Sequence, residues 1–553
     1  MAQDAPSAGG KQGMVTGTTG ARAIEAGVDI LRQGGTAADA VAATAMTQVC
    51  MAAGSWVSYA GIYTMVYFNA SDQKTYNLNA AYNTVAGETD PRSIPGVKMS
   101  DVGQKGFSAF DYPPSGRTAL VPGFMAGIEA THRRFGKLSL EKIFEPAIRC
   151  ALEGFEWSPG HAGQFAFRQK VLTRLPETKA VFLSSEGAPP KVGELFRQPA
   201  LARTLERAAR EGIREYLYLG DWARKLVAAV QADGGKMTLE DLAGYEAMWT
   251  QPAHGTYHGY DIYSHGVPAA GGVNLIEALN LAEVGKLSDL GVYSDSPRAL
   301  YWLAQINKPA FILGPAAMVA NDEVKGKLRQ LGIDLSLPSR LKKETSAKIW
   351  QAIEAGKFPE AGPPVSAPPV HSDSIVAIDQ WGNIAAVVHS INTVSWGACG
   401  IFVDGISIPD SASFQQETIA ATGPGKRLPD PATPGLVVRN GKPFMGFGSI
   451  GSGLNIRTVA SLINVMDFGM TPQQAIEKPS LGCFVFGGVK KLTVGTKEFT
   501  PEFLQALRDL GQDVGEDDAL RGYWLGIQLD PASGRLNGGA IRELNMGGRA
   551  VGY

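Results

Sequence analysis

The chain has 553 residues, of which 44% are hydrophobic and 19% charged, and its formal net charge is -2 at pH 7. This near-neutral balance, without a stripe of basic residues, excludes nucleic acid as the expected partner. No apolar run is long enough to cross a membrane, because polar residues interrupt the alanine-rich stretch from position 37 to 57. The sequence also contains no clear linker that would divide it into separate domains.

Cysteine and histidine give no sign of a metal or redox site. The four cysteines are far apart and form no CxxC pair, and the seven histidines form no HExxH or comparable ligand spacing. We therefore expect no metal ion and no cofactor, and we expect the cysteines to be small buried hydrophobic residues. The cysteines are Cys50, Cys150, Cys399 and Cys483.

The first residues predict no signal peptide, because they lack a basic segment followed by an apolar one. A polar start after an added methionine would also fit an exported protein whose leader had been removed. The compartment is therefore open, between periplasmic or secreted on one side and cytoplasmic on the other.

Helices dominate the first two thirds of the chain. Residues 17–53 predict two helices joined at Gly34-Gly35, with Thr36 as the N-cap of the second. Residues 62–68 and 75–78 predict a strand pair around a turn. Apolar residues at helical spacing predict further helices at 123–135, 140–152, 199–210, 216–232, 275–284 and 345–355.

The last third of the chain contains blocks of strands and helices. Residues 374–378 and 384–391 predict a hairpin around a glycine-containing loop, and residues 436–439 and 443–447 predict a second hairpin around Asn440-Gly441. Such blocks favour an α+β fold in which helices pack outside the sheets. The remaining predicted elements are helices at 454–467 and 471–477 and strands at 491–494 and 523–529.

Ser372 lies between a proline-rich segment at residues 363–369, which should be extended, and the first strand that follows it. If the peptide bond between His371 and Ser372 were cut, one residue would supply both a nucleophilic hydroxyl and a basic α-amine. Taken alone, a serine in a proline-rich loop is usually only a loop residue, so this hypothesis depends on the motifs around it.

Ordered motifs occur along most of the chain. They are ILRQGGTAADA at 30–40, VPGFMAG at 121–127, FGKL at 135–138, PAI at 146–148, DQWGN at 379–383, PGKR at 424–427 and GSIGS at 448–452. Together they resemble the ILxxGGNAxDAA, VPGxxxG, YGxL, PAI, D-x-x-G-N, PGKRP and GSPGG motifs of the gamma-glutamyltranspeptidase family. Several motifs in the same order are far more specific than any one of them.

The resemblance implies an N-terminal-nucleophile hydrolase, which is an αββα sandwich made as one precursor and cut before a threonine nucleophile. Counting back from the D-x-x-G-N motif, that position is Ser372 in this sequence. The resemblance therefore implies one composite domain built from a large subunit, residues 1–371, and a small subunit, residues 372–553. Ser372 would attack first the carbonyl of His371 and later a substrate amide, giving an acyl-enzyme that water or an acceptor amine resolves.

The resemblance also implies roles for four further residues. Gly451 and Ser452 match the oxyanion-hole glycines of the family, just before a predicted helix whose N-terminus favours negative charge. Ser390 and Asn392 match a threonine and an asparagine that support the nucleophile and the bound substrate.

Two departures from the family concern the acyl pocket. The family arginine that binds the glutamyl α-carboxylate should fall within residues 78–83, where there is no arginine, and the family's serine pair falls on Asp430-Pro431. Both changes remove charge-assisted contacts to a carboxylate. We therefore expect an acyl group other than free γ-glutamyl, with Asp430 at the pocket.

Three more residues are candidates for substrate binding. Asp373 either orients the Ser372 amine or is a solvated loop acid, and both alternatives stay open. Tyr82 and Trp396 would make the pocket more aromatic, although ordinary packing is the commoner role of such side chains.

These residues together favour a self-processing amidohydrolase or acylase that acts on a small-molecule amide or peptide-like substrate. Two alternatives stay open: a γ-glutamyl transferase or hydrolase with a different carboxylate clamp, and an unprocessed, inactive relative that acts as a binding protein. The sequence does not determine the acyl group, the acceptor or whether the protein forms a homo-oligomer.

Overall fold

The structure is a computed structural model, and it describes residues 12–17, 20–97, 112–313, 322–359, 372–451, 454–482, 491–517, 522–530, 532–541 and 547–553. The predicted proline-rich segment, His371 and Ser452 lie outside the described residues. In chain order the strands are β1 Gly13–Thr16, β2 Ile62–Asn69, β3 Lys74–Ala80, β4 Phe155–Glu156, β5 Leu195–Phe196, β6 Met248–Thr250, β7 Ala253–Tyr257, β8 Tyr260–Ser264, β9 Ser372–Ile378, β10 Ile384–Ser390, β11 Ile401–Val403, β12 Ile406–Ile408, β13 Gly435–Arg439, β14 Lys442–Gly451, β15 Leu481–Gly482, β16 Lys491–Val494, β17 Asp513–Glu516, β18 Gly522–Leu529, β19 Leu536–Gly539 and β20 Arg549–Gly552.

Helices fill most of the chain between these strands. The α-helices are Gly20–Arg32, Ala37–Met51, Phe124–Phe135, Leu140–Glu153, Pro159–Leu172, Pro176–Phe182, Pro199–Glu211, Ile213–Leu217, Asp221–Ala232, Leu239–Ala243, Gly271–Val284, Pro297–Ile312, Asp322–Gln330, Leu337–Arg340, Lys343–Glu354, Gln416–Thr422, Leu454–Met466, Pro472–Ile476 and Pro501–Asp509. Short 3-10 helices occur at Pro91–Ser93, Gly116–Thr118, Leu287–Leu290 and Ser411–Phe414.

Two antiparallel sheets form the centre of the molecule. The first has the strand order β20-β1-β9-β10-β2-β3-β6 and the second has the order β19-β18-β14-β13-β8-β7. Alternate side chains of a strand point to opposite faces, so each sheet has an inner and an outer face. In β9, Val376 and Ile378 pack between the sheets, while Ile375 and Ala377 pack against the outer helices.

Helices cover the outer face of each sheet. Helices Ala37–Met51 and Leu140–Glu153 pack in the core outside the first sheet, and helices Gly271–Val284 and Leu454–Met466 pack in the core outside the second. The four layers form an αββα sandwich, which confirms the predicted α+β fold class. In each sheet, one face is buried against the other sheet and the opposite face against the helices. This burial of apolar surface holds the four layers together.

Local sequence signals explain several helix boundaries. Thr36 is the N-cap of helix Ala37–Met51 as predicted, with a capping box in which Asp39 accepts from the Thr36 N–H. The single helix predicted over residues 216–232 is wrong, because the structure has two helices, Ile213–Leu217 and Asp221–Ala232, separated at Gly220. A Cβ at Gly220 would collide with the backbone of the preceding helix, so the chain must turn there.

The turn between β9 and β10 binds two distant motifs. The Asp379 carboxylate accepts from the backbone N–H groups of Trp381 and Asn383, both at 3.0 Å, and from the N–H of Ala37 at 2.9 Å. Ala37 begins a helix, where an orphan N–H group and the helix dipole favour a carboxylate. Asp39 in turn accepts from the N–H of Lys137 at 2.9 Å, so the motifs at 30–40, 135–138 and 379–383 meet at this turn.

Strand β1 lies between two strands that are far apart in the sequence. It pairs with β9 on one side and with β20 on the other, antiparallel in both cases. The first described strand therefore lies between the strand that begins at Ser372 and the last strand of the chain.

Candidate active site

Ser372 and Ser390 occupy the open end of the β9–β10 pair, opposite the turn at Asp379. Ser372 is the first residue of β9 and Ser390 the last of β10, and the antiparallel register places them side by side. Their side chains share the inner face of the sheet, and the Ser372 hydroxyl donates to Ser390 Oγ at 3.0 Å. Only 7% of Ser372 and 2% of Ser390 is exposed to solvent.

Asn392 fixes the Ser390 hydroxyl from the other side. Its backbone N–H donates to Ser390 Oγ at 3.0 Å, and its φ of 50° lies in the left-handed region that asparagine tolerates better than most residues. The tight turn after β10 thus returns the backbone toward the hydroxyl pair. The structure therefore brings together the three residues predicted to be catalytic, Ser372, Ser390 and Asn392.

The hydroxyl of Ser374, two residues further along β9, is already engaged in a hydrogen bond. It lies on the same face of β9 as Ser372, where it donates to the carbonyl oxygen of Val387 at 2.7 Å. Gly448 of β14 covers it so closely that a Cβ there would collide with Ser374 Oγ. Ser372, at the end of the strand, has no such cover from Gly448.

Strand β14 of the second sheet passes over β9 of the first. Gly446 packs against Val376 and Gly448 against Ser374, so each step of two residues along β14 moves two residues back along β9. Gly451 lies three residues further along β14 than Gly448, in the same direction. Gly451 ends β14 with a φ of 77°, and the next described residue, Leu454, begins a helix.

Asp373 lies on the opposite face of the strand from the hydroxyl pair. It is completely buried, so it is not a solvated loop acid, and its carboxylate accepts from the Ser374 N–H at 2.9 Å. Its cross-strand partner is His389, which is bonded to Gln48 at 2.8 Å. Burial lowers the pKa of His389 to about 3, so this histidine is neutral beneath the site.

Segment 78–83, where the sequence lacks the family arginine, is held by a different arginine. The Arg427 guanidinium donates to Asn83 Oδ1 at 2.8 Å and to Asn79 Oδ1 at 2.9 Å, and it lies 4.7 Å above the Tyr245 ring. Tyr82 of the same segment is buried, and its hydroxyl donates to the carbonyl of Ile391 at 3.3 Å. Burial raises the pKa of Tyr82, so its phenol stays protonated beside the turn after β10.

Asp430 lies in a buried polar group rather than at an open surface. Its Oδ1 accepts from the Ala432 N–H at 2.7 Å, and its Oδ2 lies 3.4 Å from His265 Nε2. The other ring nitrogen of His265 is 2.9 Å from Asn77 Oδ1 on β3. The carboxylate therefore faces a histidine.

The loop after Asn392 is fixed by residues that the sequence did not reveal. Asp410 accepts from the Thr393 hydroxyl and the Ala398 N–H, both at 2.6 Å, and the buried Arg168 donates to the carbonyl of Ser395 at 3.2 Å. Arg168 is more than two hundred residues away in the chain, so no local pattern indicates it.

Trp396 belongs to the same loop and is 1% exposed. Its indole N–H donates to the carbonyl oxygen of Ala53 at 2.8 Å, and its ring meets Phe182 edge to face, with 5.5 Å between centroids. These contacts position the loop against the helical layer. They leave the role of Trp396 in substrate binding a prediction.

Within the described ranges, no group of three or more histidine, cysteine, aspartate or glutamate residues could hold a metal ion. In the same part of the chain, no helix is both long enough and apolar enough to cross a membrane. The chemistry that the arrangement offers is that of a hydroxyl nucleophile with hydroxyl and backbone hydrogen-bond partners.

Known proteins resemble the chain over nearly its whole length. A sequence profile described as Gamma-glutamyltranspeptidase matches residues 23–543. The chain belongs to the gamma-glutamyltranspeptidase family. As a member of this family it is an N-terminal-nucleophile enzyme that hydrolyses amides or transfers their acyl groups.

Two kinds of curated relative are similar to this gamma-glutamyltranspeptidase family member. The glutathione hydrolase proenzyme of Escherichia coli (strain K12) is 28% identical, with 96% of this chain and 90% of the relative covered. The acylase ACY 1 proenzyme of Pseudomonas sp. (strain SE83) is 27% identical, with 96% and 92% covered. In fold, the chain is similar to the cephalosporin acylase from Bacillus halodurans, with a TM-score of 0.78, 24% identity and coverage of 100% and 98%.

Proposed function

We propose that this protein is a self-processing acylase whose nucleophile is the N-terminal serine of its small subunit, Ser372. The observation that carries the proposal is the 3.0 Å hydrogen bond from the Ser372 hydroxyl to Ser390 Oγ at the start of β9. A hydroxyl held in this way, at the first residue of a central strand, can attack a carbonyl once a base accepts its proton.

Processing would use the same hydroxyl. Ser372 Oγ attacks the carbonyl carbon of His371, the bond between that carbon and the Ser372 nitrogen breaks, and an ester replaces the amide. Water then hydrolyses the ester, which returns the hydroxyl and leaves a carboxylate on His371. The products are a large subunit of residues 1–371 and a small subunit of residues 372–553. The word proenzyme in the names of the relatives supports this step.

Turnover would follow on the processed enzyme. The new α-amine of Ser372, with an ordinary pKa near 8, accepts the proton of the hydroxyl as it attacks the substrate amide. The amide C–N bond then breaks, the α-amine passes the proton to the departing amine, and water or an acceptor amine releases the acyl group from the Ser372 ester. Ser390 and Asn392 keep the hydroxyl in place. The course of β14 supports a role for the Gly451 N–H in stabilising the developing oxyanion, together with Ser452.

We further propose an acyl pocket that does not select a free γ-glutamyl group. The guanidinium of Arg427 is bound to Asn79, Asn83 and the carbonyl of Glu246, so it is not available as a substitute clamp for a carboxylate. The carboxylate of Asp430 would repel a second carboxylate. The relatives do not decide the substrate, because a glutathione hydrolase and an acylase are similar to this chain at 28% and 27% identity.

Intact-mass measurement of the purified protein tests the mechanism. Two masses that correspond to residues 1–371 and 372–553 are expected. One uncut chain in an active preparation would exclude Ser372 as an N-terminal nucleophile, and one uncut chain without activity would favour the alternative of a binding protein.

Paired substrates then test the pocket. We expect the processed enzyme to cleave anilides of uncharged acyl groups with a higher kcat/KM than γ-glutamyl anilide. A strong preference for γ-glutamyl anilide would overturn the proposed pocket while leaving the nucleophile untouched.

A further inference from the structure

Asp373, the second residue of β9, turns its carboxylate back to the edge of the strand that faces β1. Alternation places its side chain on the opposite face from the Ser372 hydroxyl, but Oδ1 accepts from the backbone N–H of Ser374 at 2.9 Å. The carbonyl oxygen of Ser374 accepts from the N–H of Gly17, the residue after β1, at 3.0 Å. The carboxylate therefore lies at the backbone edge that β9 shares with the chain leaving β1.

Gly17 makes room for this carboxylate. A Cβ on Gly17 would lie 2.9 Å from Asp373 Oδ1 and 2.8 Å from Ile450 Cδ1, closer than Cβ atoms approach other atoms in proteins. The carboxylate and the Ile450 side chain therefore lie close to the same position, and Ile450 is the residue before Gly451 on β14. The missing side chain of Gly17 leaves a space for the carboxylate at the open end of the sheets.

The backbone nitrogen of Ser372 faces the same edge. In an antiparallel sheet, the N–H and C=O groups of one residue point to the same neighbouring strand, and residues two apart point the same way. Because the Ser374 carbonyl points to Gly17, the Ser372 nitrogen also points to this edge, beyond the end of β1 at Thr16. The nitrogen and the Asp373 carboxylate thus belong to adjacent residues and lie on one side of the strand.

Cutting before Ser372 would change the charge that this nitrogen can carry. In the uncut chain it is a neutral amide, whereas in the cut chain it is an amine that takes up a proton to become an ammonium. Asp373 is completely buried, and a positive charge beside a buried carboxylate stabilises it. Cutting would therefore create, on the neighbouring residue, a group that the carboxylate attracts.

We propose that Asp373 is a positioning residue for the base of the reaction: its carboxylate accepts a hydrogen bond from the α-amine of Ser372 in the cut enzyme and holds the amine beside the Ser372 hydroxyl. The inference rests on the proposed function of Ser372 as an N-terminal nucleophile. It gives Asp373 a role in turnover and none in cutting, because the amine does not exist before the chain is cut.

Two titratable side chains from neighbouring strands lie near this edge in the described part of the chain. His389 on β10 is the cross-strand partner of Asp373, and it is neutral above about pH 3 because burial lowers its pKa to about 3. Tyr523 on β18 is the cross-strand partner of Ile450. The outer helix contributes the neutral amide of Gln48, which is bonded to His389. Neither the histidine nor the glutamine supplies a positive charge for the carboxylate at neutral pH.

The charge of Asp373 determines the direction of the expected effect. The amine must be neutral to accept the proton of the hydroxyl, so kcat/KM of the cut enzyme should rise with pH. A carboxylate beside the amine favours the ammonium form and moves this rise to higher pH. Asp373→Asn keeps an oxygen for the Ser374 N–H but removes the charge, so it should lower the midpoint of the rise by about one pH unit.

The test is the pH profile of kcat/KM for an uncharged acyl anilide, measured on the cut enzymes, together with the rate at which freshly synthesised chains are cut. We expect Asp373→Asn to be cut as fast as the wild type and to show the lower midpoint, whereas Asp373→Glu, which keeps the charge, should restore part of the shift. Asp379→Asn is the matched control, because it removes a buried carboxylate from the other end of β9–β10, and it should keep the wild-type midpoint. Tyr523→Phe should also keep it, because the phenol is not the titrating group.

Three results would overturn the inference. An unchanged midpoint in cut Asp373→Asn would remove Asp373 from turnover and leave Ser372 as the nucleophile. A wild-type midpoint below about 8, the ordinary pKa of an α-amine, would contradict a carboxylate beside the amine, even if the variants do not fold. An uncut but active wild-type chain would overturn the proposed function of Ser372 together with this inference, and intact mass distinguishes that failure from the other two.

Discussion

The two ends of the β9–β10 pair have opposite constructions. At the closed end, the Asp379 carboxylate accepts four hydrogen bonds, from the N–H groups of Ala37, Trp381 and Asn383 and from the Asn383 side chain. At the open end, two serine hydroxyls share one hydrogen bond at 3.0 Å. Motifs of the family occur at both ends, so resemblance to a family motif does not by itself separate a stabilising residue from a reacting one.

The carboxylate at the closed end and the hydroxyls at the open end differ in their capacity to react. A buried carboxylate with all its donors in place stabilises the fold and has no capacity to react. A hydroxyl at the end of a strand retains a proton that it can give up. The following substitutions should therefore affect activity at one end of the pair and stability at the other.

Ser372→Ala should have the largest effect, which is the loss of both chain cutting and amide turnover, because the hydroxyl serves both steps. Electrophoresis under denaturing conditions and an anilide assay measure the two. Ser374→Ala is the matched control, since Ser374 lies on the same face of the same strand and should remain cut and active. Turnover by Ser372→Ala would identify another residue as the nucleophile.

Ser390→Ala should lower kcat about 10-fold, because loss of one positioning hydrogen bond of about 1–1.5 kcal/mol raises the barrier by a similar amount. Ser390→Thr keeps the hydroxyl and should restore most of the rate. The kcat of the cut enzyme is the quantity to measure, together with the rate of cutting. An unchanged kcat in Ser390→Ala would remove Ser390 from the site.

Asp379→Asn should leave the kcat of the folded enzyme unchanged but lower the free energy of unfolding by about 2–4 kcal/mol, because an amide would oppose N–H groups that now donate to a carboxylate. The midpoint of urea unfolding measures this. Asp72→Asn is the control at the exposed turn between β2 and β3, where a change of under about 0.5 kcal/mol is expected. Equal effects of the two substitutions would contradict the stabilising role of Asp379.

His389→Gln should make the stability less sensitive to acid. An unfolded histidine binds a proton below about pH 6.5, whereas folded His389 does not until about pH 3, so the stability it contributes is complete above pH 6.5 and is lost as the pH falls toward 3. The expected slope is about 1.4 kcal/mol per pH unit for one proton. Urea midpoints at pH 7 and pH 5 should therefore differ less in the variant than in the wild type, and parallel changes would refute this assignment.

The sequence predicted what depends on short stretches of chain. The capping box at Thr36 and the strand pair β9–β10 follow from spacing and turn residues within a few positions. The side-by-side placement of Ser372 and Ser390 also follows, once the register is set by the turn between the strands. The strand nevertheless starts two residues earlier than predicted, at Ser372 itself.

Contacts between distant parts of the chain could not be predicted in the same way. The hydrogen bond from Ala37 to Asp379 joins residues 342 positions apart, and the bond from Arg168 to Ser395 joins residues 227 apart. Strand β1 has only four residues, too few for alternation to distinguish it from a loop. Pro309 lies inside helix Pro297–Ile312, a helix that was not predicted and whose interior proline argues locally against it.

Strand β1 has a mechanical consequence for a chain that is cut before Ser372. It would belong to the large fragment while lying between the first and last strands of the small one, hydrogen bonded to both. The two fragments would then share one sheet, and their separation would require breaking the hydrogen bonds on both sides of β1. Maturation would be irreversible, and mature molecules would not exchange subunits with one another.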